Sequence, residues 1–301
     1  MSLPELQSFI ARHERIFLLT GAGCSTDSGI PDYRDRDGAW KRPQPVTLQA
    51  FVGDELLRRR YWARSLIGWP RFCQARPNAT HQALAALERR GQVEMLLTQN
   101  VDRLHQAAGS EAVIDLHGRL DQIRCLGCEL RLPRQEFQQW LGELNGDWLQ
   151  LDAATAPDGD ADLEGVDFMS FRVPDCPRCG ALLKPDVVFF GEHVPGARVE
   201  RAFVHLGRAD ALLVVGSSLM VYSGFRFAQA AARAGLPIAA LGYGRTRADE
   251  LLNLKVEASC AQALAFLLEY PAAAAPPPTR GLADAAAPFP DASADARSSG
   301  S

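Results

Sequence analysis

The chain has 301 residues, of which 47% are hydrophobic, and its 32 lysines and arginines against 36 aspartates and glutamates give a net charge of −4. This composition excludes a collagenous or wholly disordered chain, and no apolar run approaches the roughly 20 residues of a membrane span. The weakly acidic balance of charge gives no sign of nucleic acid binding, which requires clustered Lys and Arg, so neither nucleic acid nor a membrane is expected as a partner. The N-terminal residues show no signal-peptide pattern, which predicts a cytoplasmic protein.

Apolar runs and helical patterns alternate along most of the chain. The first apolar run, residues 15–20, ends in Gly21-Ala-Gly23, and residues 25–29 follow with a sequence that can open a helix. Later elements are predicted at 80–90 (helix), 93–98 (strand), 101–108 (helix), 113–116 (strand), 209–215 (strand), 224–234 (helix) and 236–241 (strand). This alternation predicts an α/β fold, in which a Rossmann-like parallel sheet carries helices on both faces.

Two stretches interrupt the alternation and predict a second, smaller domain. Residues 38–79, rich in Arg, Trp and Pro, are predicted to form a helical insertion, and residues 119–181 surround four cysteines. The Rossmann-like parts are then 1–37, 80–118 and 182–270. Residues 271–301 contain almost no bulky apolar side chains and are predicted to be a disordered tail.

Four of the seven cysteines form two C-x-x-C pairs, Cys125 with Cys128 and Cys176 with Cys179. Two such pairs supply the four thiolates that tetrahedral zinc prefers. Because the protein fills every ligand position, no position remains for substrate, and the zinc is expected to be structural. Two redox pairs or unlinked thiols are the alternative interpretation.

The glycine turn at residues 21–23 is also typical of a nucleotide-binding site. Gly21 and Gly23 follow a strand, and glycine there lets the backbone approach a pyrophosphate. Further motifs follow in a fixed order around the cysteine pairs: Gly21-Ala-Gly-Cys-Ser-Thr-Asp-Ser-Gly-Ile-Pro-Asp-Tyr-Arg34, Thr98-Gln-Asn-Val-Asp-Arg-Leu-His105, Asp115-Leu-His-Gly118, Lys184-Pro-Asp-Val-Val-Phe-Phe-Gly-Glu192 and Gly216-Ser-Ser-Leu219. Over residues 1–270 this set closely resembles the sirtuin family of NAD-dependent protein lysine deacylases. The segment Arg60-Tyr-Trp-Ala-Arg64 is similar to the class II branch.

The resemblance implies a catalytic domain at 1–270 that removes acetyl or longer acyl groups from protein lysine and gives nicotinamide and O-acyl-ADP-ribose. It implies that Asn100 and Asp102 hold the nicotinamide and that His117 accepts a proton from a ribose hydroxyl, a task suited to histidine. Without the flanking motifs, His117 would be interpreted as a core histidine. His105 is expected to provide packing or support.

The resemblance also implies contacts with NAD and with an acylated protein substrate. The expected NAD contacts are Gly21, Ala22, Gly23, Thr26, Asp32, Tyr33, Arg34, Trp40, Gln99, Asn100, Val101, Asp102, Gly216, Ser217, Ser218, Gly242, Tyr243, Gly244 and Cys260. Tyr33 and Arg34 are expected on a loop that folds over NAD. Gly242 stands where the family usually has asparagine, so the hydrogen bond to the adenine ribose is expected to be missing, or supplied by the backbone or Arg247.

The substrate peptide is expected to add as a strand between two edges, formed by Val188, Phe189, Phe190 and Gly191 and by Tyr222. A merely buried strand over residues 187–190 is the alternative. Tyr61 and Arg64 are three residues apart, so on a helix they share a face that could bind an acyl carboxylate; a solvated basic helix face is the simpler explanation.

Two other functions remain open from the sequence. One is a protein mono-ADP-ribosyltransferase that uses the same NAD pocket. The other is a non-catalytic NAD-sensing module whose zinc region binds a partner.

Overall fold

The computed structural model describes residues 3–41, 45–151, 163 and 166–269. Its helices are α1 (Leu3–Ala11), α2 (Leu48–Gly53), α3 (Glu55–Phe72), α4 (Ala79–Arg89), α5 (Leu104–Ala107), α6 (Arg134–Leu144), α7 (Gly196–Leu206), α8 (Tyr222–Arg233), α9 (Cys260–Leu264) and α10 (Phe266–Glu269). Its strands are β1 (Ile16–Thr20), β2 (Val93–Thr98), β3 (Val113–Asp115), β4 (Gly118–Cys125), β5 (Arg131–Pro133), β6 (Leu183–Val187), β7 (Ala211–Val215), β8 (Ile238–Leu241) and β9 (Leu254–Val256). The tail predicted at 271–301 lies outside the described residues.

The larger sheet has the strand order β3-β2-β1-β7-β8-β9, and every neighbouring pair is parallel. If only these six strands are numbered along the chain, the order becomes 3-2-1-4-5-6, which is that of the dinucleotide-binding doubly wound fold. This confirms the predicted fold class. The order reverses between β1 and β7. In such sheets a ligand binds outside the carboxyl ends of the strands at this point.

Both faces of the larger sheet are covered by helices, and its strands β1, β7 and β8 are buried at every residue. In β1, Ile16 and Leu18 face one core with α1, α4, α9 and α10, whereas Phe17 and Leu19 face the other with α7 and α8. Because helices cover both faces of the sheet, the ends of its strands remain accessible to a ligand.

The smaller sheet is antiparallel, in the order β5-β4-β6, and packs with α2, α3 and α6 around a third core that includes Phe51, Trp62 and Phe137. Strand β6 corrects the sequence interpretation, which placed residues 182 onward in the Rossmann-like part. Leu183 pairs with Cys125 across the sheet, so the chain stays in the smaller domain for one strand after the second cysteine pair.

Two predicted helices differ from the structure. Residues 22–24 and 26–28 form short 3-10 turns instead of a helix, because Gly29 at φ 84° turns the chain away. The helix predicted at 101–108 is shortened to Leu104–Ala107, since Arg103 lies in the left-handed region. None of the helices in the described part of the chain is both long and apolar enough to cross a membrane.

Candidate active site

A cavity of about 620 Å³ opens at the carboxyl ends of β1, β2 and β7, where the larger sheet meets the smaller domain. Of the predicted NAD contacts, all except Gly244 line it, as do His117 and the predicted peptide contacts Val188, Phe189, Phe190, Gly191 and Tyr222. The structure therefore gathers residues from both domains around one space.

The floor of the cavity consists of two glycine loops that touch each other. A Cβ on Gly21 would lie 2.7 Å from the Ser217 Cβ, and one on Gly23 would lie 2.9 Å from the Gly216 Cα. Gly216 itself has a φ of 62°, and its Cβ would meet the Cys24 nitrogen at 2.5 Å. Only glycine fits at these points, which lets the two loops pack backbone against backbone, with the Gly23 N–H donating to the Gly216 carbonyl over 2.8 Å.

Asn100 and Asp102 are joined by a third side chain, that of Ser25. The Ser25 hydroxyl donates to the Asp102 Oδ2 over 2.6 Å and accepts from the Asn100 Nδ2 over 3.0 Å. Asn100 Nδ2 also donates to the Gly21 carbonyl, so the β2 loop is tied to the β1 loop. Burial raises the pKa of the Asp102 carboxyl above its ordinary value. The sequence motifs did not single out Ser25, although its position just after the glycine turn placed it near the site.

The imidazole of His117 is held in one tautomer. Its Nδ1 lies 3.0 Å from the Gln99 carbonyl oxygen, which can only accept, so Nδ1 carries the proton. The unprotonated Nε2 faces the Ser223 hydroxyl at 2.7 Å, and both residues line the cavity. Burial, against the opposing effect of the Gln99 carbonyl, lowers the pKa of His117 to about 4. The residue is thus a neutral base at pH 7.

The backbone around His117 is equally constrained. The Val188 N–H donates to the His117 carbonyl over 2.7 Å, which anchors this end of β4 to the segment after β6. Gly118 has a φ of 85°, and a Cβ there would lie 2.1 Å from the Asp186 carbonyl oxygen. The glycine after His117 is required by this close crossing of two strands.

His105 and His81 lie buried side by side, and His105 has the packing role expected of it. His105 is buried and its Nε2 lies 2.9 Å from the Thr20 hydroxyl oxygen. His81, also buried, caps α4 with its Nδ1 and lies against the His105 ring, with 4.8 Å between centroids.

Residues 32–40 form a loop beside the cavity, which we call the cofactor loop. Arg34 donates to the Gly38 carbonyl over 2.6 Å and its guanidinium lies 3.9 Å from the Trp40 ring centroid. Trp40 in turn contacts Phe190 edge-on at 5.5 Å. Asp32 accepts from the Lys41 ammonium over 2.5 Å. The loop is folded on itself by these contacts.

Gly244 corrects the sequence interpretation. Gly242 and Tyr243 line the cavity, but Gly244 does not; it lies against the backbone of Arg36 in the cofactor loop. The reason is the left-handed conformation of Gly244, φ 82°, which turns the chain away from the cavity after Tyr243.

The segment after β6 is not the buried strand that was the alternative interpretation of residues 187–190. Strand β6 ends at Val187, and only Phe190 pairs further, in a single bridge with Thr47. The chain turns because the Glu192 carboxylate accepts from the Phe189 N–H over 2.9 Å, while Glu192 also pairs with the fully buried Lys184 at 3.1 Å. This buried ion pair, which the sequence analysis did not identify, fixes the wall beside His117.

Tyr61 and Arg64 both lie on α3, as their spacing requires. Tyr61 lines the cavity and packs edge-on against Phe51 and Phe189, with centroids 5.4 Å from each. Arg64 is not among the lining residues.

The four predicted zinc ligands come together. Their sulfur atoms all lie within 4.8 Å of one another, with 3.5 Å between Cys125 and Cys179 and 3.7 Å between Cys128 and Cys176. Tetrahedral zinc with Zn–S bonds of about 2.3 Å separates its sulfurs by about 3.8 Å, so the thiols fit the ion. The Gly127 N–H donates to the Cys125 sulfur over 3.2 Å, which favours a thiolate. The cluster lies at the far end of β4 from His117.

Comparisons with known proteins agree with this geometry. The Sir2 family model matches residues 21–223. A protein of Xanthomonas campestris pv. campestris (strain B100) named NAD-dependent protein deacetylase is 75% identical over 268 residues, 89% of this chain and 92% of that protein. The NAD-dependent protein deacetylase 2 of Bradyrhizobium diazoefficiens is 68% identical over 263 residues, 87% of this chain and 96% of that protein.

Among solved structures, one described as Sir2-p53 peptide-NAD+ is similar with a TM-score of 0.71 and 31% identity, over 89% of this chain and 98% of that chain. Another, on the structural basis for sirtuin substrate affinity, has a TM-score of 0.70 and 30% identity over the same shares. Together with the glycine loops, the fixed imidazole and the four thiols, these likenesses show that the chain belongs to the Sir2 family.

Proposed function

We propose that this protein is an NAD-dependent lysine deacylase that removes acetyl groups from protein substrates. The observation that carries the proposal is the neutral imidazole of His117, whose Nε2 faces a cavity floored by two glycine loops. The names of the relatives and the Sir2 structure with a p53 peptide and NAD+ support the same reaction.

NAD, when bound, supplies an electrophilic ribose carbon and a nicotinamide leaving group. The two glycine loops would lie against its pyrophosphate at Ala22 and Ser217, since the N–H groups of Gly21, Gly23 and Gly216 donate to carbonyls within the protein. Asn100 and Asp102, held together by Ser25, would contact the nicotinamide amide; because both Asn100 Nδ2 hydrogens are used by Ser25 and Gly21, Asn100 would offer its Oδ1 as an acceptor. His117 would accept the proton of the ribose hydroxyl at Nε2, with the positive charge then stabilised by the Gln99 carbonyl at Nδ1.

The four thiolates would hold a structural zinc ion, because protein atoms fill its coordination shell. The cluster and His117 are joined by the length of β4 and do not share a cavity.

The acyl chain is proposed to enter between Tyr61, Phe189 and Val188. This wall is apolar apart from the Tyr61 hydroxyl, and Arg64 does not line it. Neutral acyl groups are therefore favoured over dicarboxylic ones such as succinyl, for which a buried carboxylate would need a cationic partner.

The test is nicotinamide release with and without an acetyl-lysine peptide, for the wild type, His117→Ala and the control His193→Ala, whose side chain is exposed away from the cavity. We expect peptide-dependent release in the wild type and the control, and a loss of at least about 100-fold in His117→Ala. Release that needs no acylated peptide, with label transferred from NAD to protein, would instead establish mono-ADP-ribosyl transfer. NAD binding without any release would establish a sensing module.

A further inference from the structure

The segment Gly242–Arg245, which we call the glycine clasp, touches the cofactor loop as well as the cavity. The Arg245 N–H donates to the Arg36 carbonyl over 2.7 Å. The Arg36 guanidinium lies 5.1 Å from the centroid of the Tyr243 ring, which is 58% exposed. The cofactor loop is therefore held by a part of the chain more than two hundred residues away.

The close approach of the two backbones depends on Gly244. A Cβ at this position would lie 2.4 Å from the Arg36 carbonyl oxygen and 2.7 Å from the Arg36 Cα. Both neighbours are backbone atoms, which cannot rotate aside as the end of a long side chain could. Any side chain at residue 244 must therefore push Arg36 away and lengthen the hydrogen bond from Arg245.

A second connection runs from the same region to the loop after β7. The Arg247 N–H donates to the Ser218 carbonyl over 2.9 Å, and its side chain donates to the Met220 carbonyl over 3.2 Å. Met220 packs under Gly38 of the cofactor loop, where a Cβ would lie 2.5 Å from the Met220 Cε. The cofactor loop therefore contacts the glycine clasp at Arg36. At Gly38 it contacts Met220, whose carbonyl accepts from Arg247.

We propose that the glycine clasp positions the cofactor loop over the NAD site and thereby sets NAD affinity, with Gly244 as a positioning residue. The inference rests on the proposed function only in taking NAD as the ligand. Tyr33 and Arg34, on one side of Arg36 in the loop, line the cavity, and Tyr243 of the clasp lines it too. Docking the loop on the clasp brings these side chains to one site before the ligand arrives, so less ordering accompanies binding.

The chain offers a matched control for Gly244→Ala. Gly235 also has a positive φ, 72° against 82° for Gly244, but a Cβ there has no neighbour within 4 Å. Gly235→Ala therefore introduces the same backbone strain without the clash. The pair Gly244→Asn and Gly235→Asn repeats the comparison with a residue that tolerates the left-handed region, in case the alanine variant does not fold.

The first measurement uses the protein without NAD. Amide hydrogen exchange of residues 32–40, followed by mass spectrometry, reports the opening of the cofactor loop. We expect at least five-fold faster exchange in the Gly244 variants than in the wild type and the Gly235 variants. Equal exchange in all of them would overturn the proposal.

The second measurement is the Kd for NAD by calorimetry in the absence of peptide. We expect at least ten-fold weaker binding in the Gly244 variants and binding within two-fold of the wild type in the Gly235 variants. Unchanged Kd in the Gly244 variants, even with faster exchange, would also overturn the proposal. Neither measurement depends on turnover. Absent nicotinamide release would contradict the proposed deacylase activity, whereas these two measurements test only the proposed role of the glycine clasp.

Discussion

At the scale of single residues, the tautomer of His117 follows from one carbonyl. The Gln99 oxygen accepts from Nδ1, and the base at Nε2 is thereby fixed without a carboxylate partner. Sequence motifs predicted the identity of this histidine. They could not predict the role of Ser25, because a serine after a glycine turn ordinarily caps the next helix, and here the chain forms 3-10 turns that leave its hydroxyl facing Asp102.

The lowered pKa of His117 predicts an unusual pH profile. The base acts only when neutral, and burial lowers its pKa from 6.5 to about 4, so protonation removes activity only as the pH falls toward that value. We expect kcat/KM for deacetylation to be flat between about pH 5 and 7, measured over the range in which circular dichroism shows the native fold. An acidic limb centred near 6.5 would contradict this assignment.

At the scale of elements, strand β4 connects His117 with the cysteine cluster. It begins directly after His117 and ends at Cys125, and its pairing with β6 runs from Gly118 with Val187 to Cys125 with Leu183. The C-x-x-C spacing predicted the metal cluster. It did not predict β6, because an edge strand containing Lys and Asp gives no apolar pattern, and only pairing across the sheet shows where it belongs.

Loss of zinc is therefore expected to reduce catalysis through β4. Cys128→Ser should lower both the zinc content and kcat by at least ten-fold, because the turn that ends β4 is no longer held by the metal. Zinc content by atomic absorption and steady-state deacetylation are the measurements. Cys73→Ser is the matched control, since Cys73 is exposed and lies outside the cluster. Full kcat in a zinc-free Cys128→Ser protein would show that the metal does not act on the active site.

At the scale of the whole molecule, apolar runs predicted five of the six strands of the larger sheet; the sixth, β9, was not predicted because it has only three residues, with Lys255 at its centre. Contacts between segments far apart in the sequence could not be predicted. The cofactor loop illustrates this limit: Arg36 and Arg245 are exposed polar residues far apart in sequence, and nothing local indicates that their backbones meet.

Buried neutral histidines are expected to make the folded protein sensitive to acid. Burial lowers the pKa of His81 from 6.5 to about 4, and that of His105 also falls well below 6.5. Their contribution to stability is present above pH 6.5 and is lost as the pH falls toward the folded-state pKa, since the unfolded chain binds protons first. For His81 alone the loss at pH 5 is about 2 kcal/mol.

Urea unfolding at pH 7 and pH 5 measures this effect. In His81→Gln, which cannot titrate, we expect the drop in unfolding free energy between the two pH values to be about 2 kcal/mol smaller than in the wild type. The exposed His193, changed to Gln, should leave the drop unchanged. The same drop in His81→Gln and in the wild type would mean that His81 is not buried as a neutral base.

The interlocked glycines have a consequence for redesigning the enzyme. Since Gly21, Gly23 and Gly216 leave no room for a Cβ, no larger residue can be introduced at these positions without moving the two loops apart. Substitution of these three glycines is therefore not a route to a changed nucleotide specificity. An engineer who wishes the protein to accept an altered nucleotide analogue must work at the periphery, where Asp32, Tyr243 and Lys255 offer side chains that can be exchanged.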